Sequence, residues 1–236
     1  MAAGRKNETP MAMRGCKLDH LVVTAPDLRS GIEWVRGLLG AEPQPGGEHR
    51  EMGTHNCLLR LGESAYLEVI ARNPDAYHPG RPRWFGLDHV NKGSPPRLAA
   101  WVVRTPDLRS AQAACSEPLG KIERMSRGDL EWLITIPEDG NLPLDGAVPM
   151  LIEWPADTHP VSRLPDAGCT LLRLEVLHPQ PDRVSRVLES VAFAGDVSIS
   201  ALPKNARPRL VAHVHTAQGE TTLGGVSPAG PDCTVA

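Results

Sequence analysis

The chain has 236 residues, 41% of them hydrophobic, and a formal net charge of -3 with no long run of one sign. That length and apolar content exclude a fully disordered chain, and the want of a clustered basic patch excludes a nucleic-acid footprint. Aromatics are scarce at 4%, while 23 prolines and 22 glycines predict many short elements joined by turns.

Residues 1–16 contain no apolar core of signal-peptide length and read as a loose lead-in. No window approaches the roughly 18 apolar residues of a membrane span. The expectation is a cytoplasmic protein with no membrane partner. Five cysteines (Cys16, Cys57, Cys115, Cys169, Cys233) are odd in number and widely spaced, with no C-x-x-C. That pattern argues for free thiols rather than a disulfide framework or a zinc ribbon.

The first alternating run, KLDHLVVTA, predicts a strand, followed by a turn at Pro26-Asp27. Asp27 or Ser30 can cap the helix that follows, with Ile32, Val35, Leu38 and Leu39 at helical spacing and Gly40 at its end. A short extra strand near Ala41–Pro43 is an option. CLLRLG and AYLEVIA then predict two strands joined by a GES turn, and Gly46-Gly47 read as ordinary loop glycines. The same order returns after a proline-rich segment, Pro74–Pro96. LDHLVVTAPDLRS (18–30) and LAAWVVRTPDLRS (98–110) match at eight of thirteen positions without a gap. DLEWLITIP and PMLIEWP are the later strands of this second copy, joined by a long loop. Such self-similarity predicts two modules that bury their sheets together. A degenerate third copy, CTLLRLEVLHPQPDRVSRVLESV followed by VSIS and RLVAHVHTA, predicts strand, helix and two strands.

Paired modules that open with LDHLVV and close with YLEVIA resemble the vicinal oxygen chelate superfamily, which includes glyoxalase I. GTHNCLLRLGESAYLEVIA, RPRWFGLD, RGDLEWLITIPEDG and PMLIEWP are similar, more closely, to the glyoxalase-like domain family, over about residues 17–190. The resemblance implies an α+β fold. Tandem βαβββ modules (17–72 and 97–155) would form a curved mixed sheet with helices outside. A partial third module (166–225) and a tail (226–236) would follow. It also implies a metal cup in which each module supplies one ligand from its first strand and one from its last. On this sequence those positions offer His20 and Glu68, then Glu153, with Ala100 where the fourth ligand would stand.

Independently of the resemblance, Glu68 and Glu153 each interrupt an apolar run, and a buried carboxylate needs a partner or a metal. One imidazole and two carboxylates suit Zn, Ni, Mn or Fe(II). The alternative is a metal-free, hydrogen-bonded pocket, for example with Glu68 paired to Arg60. Of His55 and Asn56, strand alternation lets only one face the cup, to bind substrate or, for His55, to replace the missing ligand. Trp84, Phe85 and Trp132 are candidates for a pocket wall or for the core. His213 and His215 read as exposed, His159 and His178 as turn residues.

The expected function is a divalent-metal-dependent enzyme of lyase, isomerase or dioxygenase type acting on a small oxygen-rich molecule. Glu68 or Glu153 would serve as base. The alternative is a metal-free protein that binds or sequesters a small molecule. Superfamily members pair, so a homodimer is the assembly the resemblance suggests.

Overall fold

The computed structural model describes residues 15–155 and 158–224; the rest of the expected lead-in and the expected tail lie outside the described residues. The first module runs β1 (Lys17–Thr24), α1 (Leu28–Leu39), β2 (Gln44–His49), β3 (Thr54–Arg60) and β4 (Tyr66–Arg72). The second runs β5 (Arg97–Arg104), α2 (Leu108–Ala114), β6 (Lys121–Arg127), β7 (Leu130–Ile136) and β8 (Met150–Glu153). Together they make one eight-stranded sheet in the order β2-β3-β4-β1-β5-β8-β7-β6.

The repeated sequence is the scaffold of both modules. Asp27 caps α1 by accepting from the Ser30 amide at 2.8 Å, and Asp107 caps α2 through Ser110 at 3.0 Å. Gly40 ends α1 with φ 67°, the left-handed conformation that glycine adopts at no steric cost. The opening strands β1 and β5 meet antiparallel at the centre, with Leu21 opposite Trp101 and Val22 opposite Ala100. Each also runs parallel to its own module's closing strand, β1 to β4 and β5 to β8.

Alternation gives the curved sheet two faces. The outer face carries Leu21, Val23, Leu67, Val69, Trp101, Val103 and Leu151, which pack with residues of α1 and α2. The inner face carries Val22, Ile70, Ala100, Val102, Trp132, Ile134, Met150 and Ile152. Trp84, Phe85, Leu87 and Val90, from the connection between the modules, fill this concave side. The two sheet edges approach each other there: Ser126 Oγ on β6 donates to Glu51 Oε1 at 3.3 Å, beside the end of β2.

The extra strand of the first module lies later than Ala41–Pro43. It is β2, and it runs through Gly46-Gly47, which are strand residues rather than loop glycines. An added Cβ on Gly46 would overlap Asn56 Oδ1, and one on Gly47 (φ 142°) would sit 3.0 Å from Arg127 Cγ. These glycines therefore let an edge strand lie close against two side chains of the concave face.

The third segment forms β9 (Thr170–His178), α3 (Pro181–Ser190), β10 (Val197–Ala201), β11 (Arg209–Thr216) and β12 (Gly219–Gly224). Its sheet order is β10-β9-β11-β12, with β9 and β10 parallel. It adds a strand, β12, beyond the two expected after the helix. Leu174, Val176, Leu210, Ala212 and Val214 join the outer core of the large sheet, and Phe193 meets Trp101 edge to face at 5.5 Å. No helix among the described residues is long and apolar enough to cross a membrane.

Candidate functional site

β1 points His20 into the concave side and β4 points Glu68 there. His20 Nε2 and Glu68 Oε2 stand 3.6 Å apart, in ion-pair range but too long for a hydrogen bond. Each is held from behind. His20 Nδ1 lies 2.7 Å from Asp19 Oδ1, which turns Nε2 towards Glu68. Glu68 Oε1 accepts a hydrogen bond from the Asn56 amide on β3. The His20 ring stacks on Tyr66 at 4.6 Å.

Asp19 is fully buried and serves as a hub. Its Oδ2 accepts from Trp154 Nε1 at 3.0 Å and lies 2.9 Å from His159 Nε2, with the Arg104 guanidinium 3.8 Å away. His159 also accepts from the Val161 amide, so it is the turn residue expected and a second support for Asp19. On the other side of Glu68, His49 Nε2 is 4.0 Å from Oε1. Its Nδ1 is 3.1 Å from Thr54 Oγ1, which also accepts from Trp84 Nε1 at 3.3 Å.

These groups wall a cavity of about 20 Å³, closed by Trp84, Phe85, Arg127, Trp132 and Trp154. That volume has room for about one water.

Burial and pairing set the charges. Burial pushes His20 down, but the hydrogen bonds and charges of Asp19 and Glu68 overcome it and raise the imidazole to about 9. Burial pushes Glu68 up, and the opposing contacts of His20, His49 and Asn56 bring it to about 2. Asp19 is likewise held well below the usual carboxylate range against its burial, by His159 and His20. His49 is driven to about 4, first by burial, with the Arg127 and His20 charges adding to it against the pull of Glu68. At neutral pH the site therefore holds an imidazolium between two carboxylates, a neutral His49 and the Arg127 guanidinium.

Of the sequence candidates, the structure brings together His20, Glu68, Asn56, Trp84 and Trp132. His55 shares the opposite face of β3 with Cys57 and Leu59 and does not reach the cavity. Arg60 donates to the Gly62 carbonyl at 2.8 Å, not to Glu68. His213, expected at the surface, is tucked between Glu175 and Glu220 at 3.1 Å from each.

Glu153 is the main correction. Its carboxylate accepts from the Leu108 amide at 2.7 Å, on the outer face, at the N-terminus of α2. Strand register explains the misplacement. Glu68 pairs with Val22, and the counterpart of Val22 eighty residues on, Val102, pairs with Met150. The second module's equivalent of Glu68 is thus Met150, three positions before Glu153, and an odd slip turns a side chain to the other face. Both ligand positions of the second module, Ala100 and Met150, are apolar and buried. Among the described residues no three His, Cys, Asp or Glu side chains are grouped to hold a metal ion. The expected divalent ion therefore does not fit the residues present.

Sequence reasoning missed Asp19, His49, Tyr66, Arg127, Trp154 and His159. Asp19 and Tyr66 lie next to or two positions from recognised residues, and alternation from Glu68 places Tyr66 on its face. The others come from edge strands and a loop, where no periodicity points inward.

Several solved structures are similar to this chain. A hypothetical protein from Staphylococcus aureus superposes with a TM-score of 0.53 at 12% identity, over 89% of this chain and 85% of that one, which speaks for the fold alone. Methylmalonyl-CoA epimerase from Mycobacterium tuberculosis matches at TM-score 0.39 and 20% identity, over 62% and 92% of the two chains. A xylose isomerase-like TIM barrel/4-hydroxyphenylpyruvate dioxygenase fusion protein matches at TM-score 0.44 and 18% identity, over 97% of this chain and 35% of that one. No curated protein matches the chain. The model of the glyoxalase-like domain matches residues 18–192, and the chain belongs to that family.

Proposed function

We propose that this protein is a glyoxalase-like enzyme that works by acid–base chemistry between Glu68 and His20, without a divalent ion. The observation that carries the reading is the pairing of those two groups 3.6 Å apart, each fixed from behind and both facing the cavity. They occupy the half of the cup where metal ligands would stand, and the other half is Ala100 and Met150.

The chemistry suited to such a pair is proton transfer at a carbon next to a carbonyl. Glu68 Oε2 takes the proton as the C–H bond breaks, and the electron pair moves onto the carbonyl oxygen. The His20 Nε2–H donates to that oxygen as it becomes negative. Return of the proton to the same or the neighbouring carbon completes an isomerase-type cycle in which nothing is oxidised overall. A substrate oxygen that takes the His20 N–H also separates Glu68 from its cation, which relieves the pairing that keeps Glu68 a weak base. The aromatic wall excludes water from the intermediate.

The test is hydrogen–deuterium exchange at the α-carbon of small 2-hydroxy ketones and 2-oxo acids, followed by NMR in D2O with and without EDTA. Exchange that survives EDTA and is lost in Glu68→Gln and His20→Asn supports the reading. No exchange with any compound, or exchange that EDTA abolishes and zinc restores, defeats it. A second reading, binding without turnover, draws on the low Glu68 pKa of about 2, which ill suits a general base. Its signature is saturable binding with no exchange.

A further inference from the structure

Arg127 ends β6 at the mouth of the same cavity. It is only 7% exposed. Among the described residues no carboxylate lies within 4.0 Å of its guanidinium and its side chain makes no hydrogen bond. Nearby arginines are satisfied: Arg83 bonds Asp88 at 2.7 Å, Arg81 bonds Glu123, and Arg104 donates to the Leu18 carbonyl at 2.8 Å. Arg127 alone of these is held and left open.

It is also held deliberately in the structural sense. Gly47 of β2 passes so close that an added Cβ would meet the Arg127 Cγ at 3.0 Å. The guanidinium carbon lies 5.9 Å from the centre of the Trp132 ring, within cation–π range. Packed stem and stacked head fix the fork in place. Its charge reaches His49 and Tyr66 across the cavity.

We propose that Arg127 anchors the carboxylate of a small organic acid and so sets the substrate class of the Glu68–His20 site as 2-hydroxy or 2-oxo acids. The inference rests on the acid–base reading for the position of the reacting carbon, but not for the anchor itself. A planar fork with no partner among the described residues matches a carboxylate with two parallel hydrogen bonds. The cavity of about 20 Å³ holds about one water, so an acid of two or three carbons enters only as the wall of Trp84, Trp132 and Trp154 yields. A carboxylate at Arg127 leaves the adjacent carbon and its oxygen to face Glu68 and His20.

The test reads binding apart from turnover. Glycolate, glyoxylate, lactate and pyruvate are titrated against the full chain by NMR and thermal shift, beside the neutral amides glycolamide, lactamide and pyruvamide. The acids are expected to bind roughly tenfold to a hundredfold tighter than their amides, the worth of a charge-assisted hydrogen bond. Arg127→Met is expected to abolish that preference without lowering the melting temperature of the free protein. Arg127→Lys is expected to keep part of the preference. The proposal is overturned if no acid binds, if acids and amides bind alike, or if Arg127→Met binds acids as the parent does. It is also overturned if Arg127→Met melts lower and Arg127→Lys restores it, which marks a structural role. Tight acid binding without α-carbon exchange would defeat the acid–base reading and leave the anchor standing.

Discussion

Replacing Asp19 by Asn tests the electrostatic logic of the site at its buried hub. The change keeps the shape and removes the charge that faces His20 at 2.7 Å and His159 at 2.9 Å. His20 is raised from 6.5 to about 9 in the folded protein. At about 1.4 kcal/mol per pH unit, that shift corresponds to about 3 kcal/mol of stability. Breaking a buried ion pair costs about 3–5 kcal/mol by a separate route, so the two magnitudes agree. The sign follows from linkage. A histidine whose folded pKa lies above its unfolded value contributes fully below pH 6.5, and the contribution is lost as pH rises through about 9. Glu68 and His49, whose folded values are lowered to about 2 and about 4, act in the opposite direction and only below pH 6.5. Burial also pushes the Cys16, Cys57, Cys115 and Cys169 thiols above 9.0, so only urea unfolding from pH 6.5 to 8 isolates His20. The parent should lose about half of the His20 contribution across this window. Asp19→Asn should start lower by about 3 kcal/mol at pH 6.5 and show little further slope up to pH 8. A parent curve that is flat from pH 6.5 to 8, or a variant that keeps the parent's slope, would refute the assignment of an imidazolium at His20.

Three further perturbations probe the geometry. Glu153→Ala should cost about 1 kcal/mol of stability in denaturant melts, as the loss of an N-terminal helix contact does, and should leave the His20 NMR titration unchanged; a shifted titration would return Glu153 to the site. Gly46→Ala should destabilise by about 2 kcal/mol or more, because its Cβ overlaps Asn56 Oδ1, and should release Asn56 from Glu68; a neutral melt would mean that β2 does not lie as described. The double change Ala100→His and Met150→Glu should install the second module's ligand pair and create stoichiometric zinc binding by calorimetry that either single change lacks. Failure of the double variant to bind zinc would break the register equivalence of Met150 with Glu68.

The two-module scaffold was legible because its text is printed twice and both copies obey period-two alternation. Glu68 was legible because a charged residue inside a buried run demands a partner, whereas His20 was pointed to by the family resemblance. The strands that escaped, β2 and β6, are the two edges of the sheet. QPGGEH and KIERMSR carry the prolines, glycines and charges that edge strands use to avoid pairing with another chain, and those same residues erase the hydrophobic pattern. That erasure hid the site's other half, because His49 ends β2 and Arg127 ends β6. Glu153 failed for a different reason. Sequence comparison aligned the glutamates of YLEVIA and MLIEWP by likeness of text, whereas the sheet aligns residues by hydrogen-bond register, and the two differ by three positions. With period two, a shift of two would have been harmless and a shift of three reverses the face. The consequence is chemical: the second module gives the cup no ligand, only an apolar and aromatic wall with one guanidinium at its rim. A cup asymmetric in this way suits the proposed anion anchor at Arg127 and proton transfer at Glu68 better than an ion clamped between equal halves.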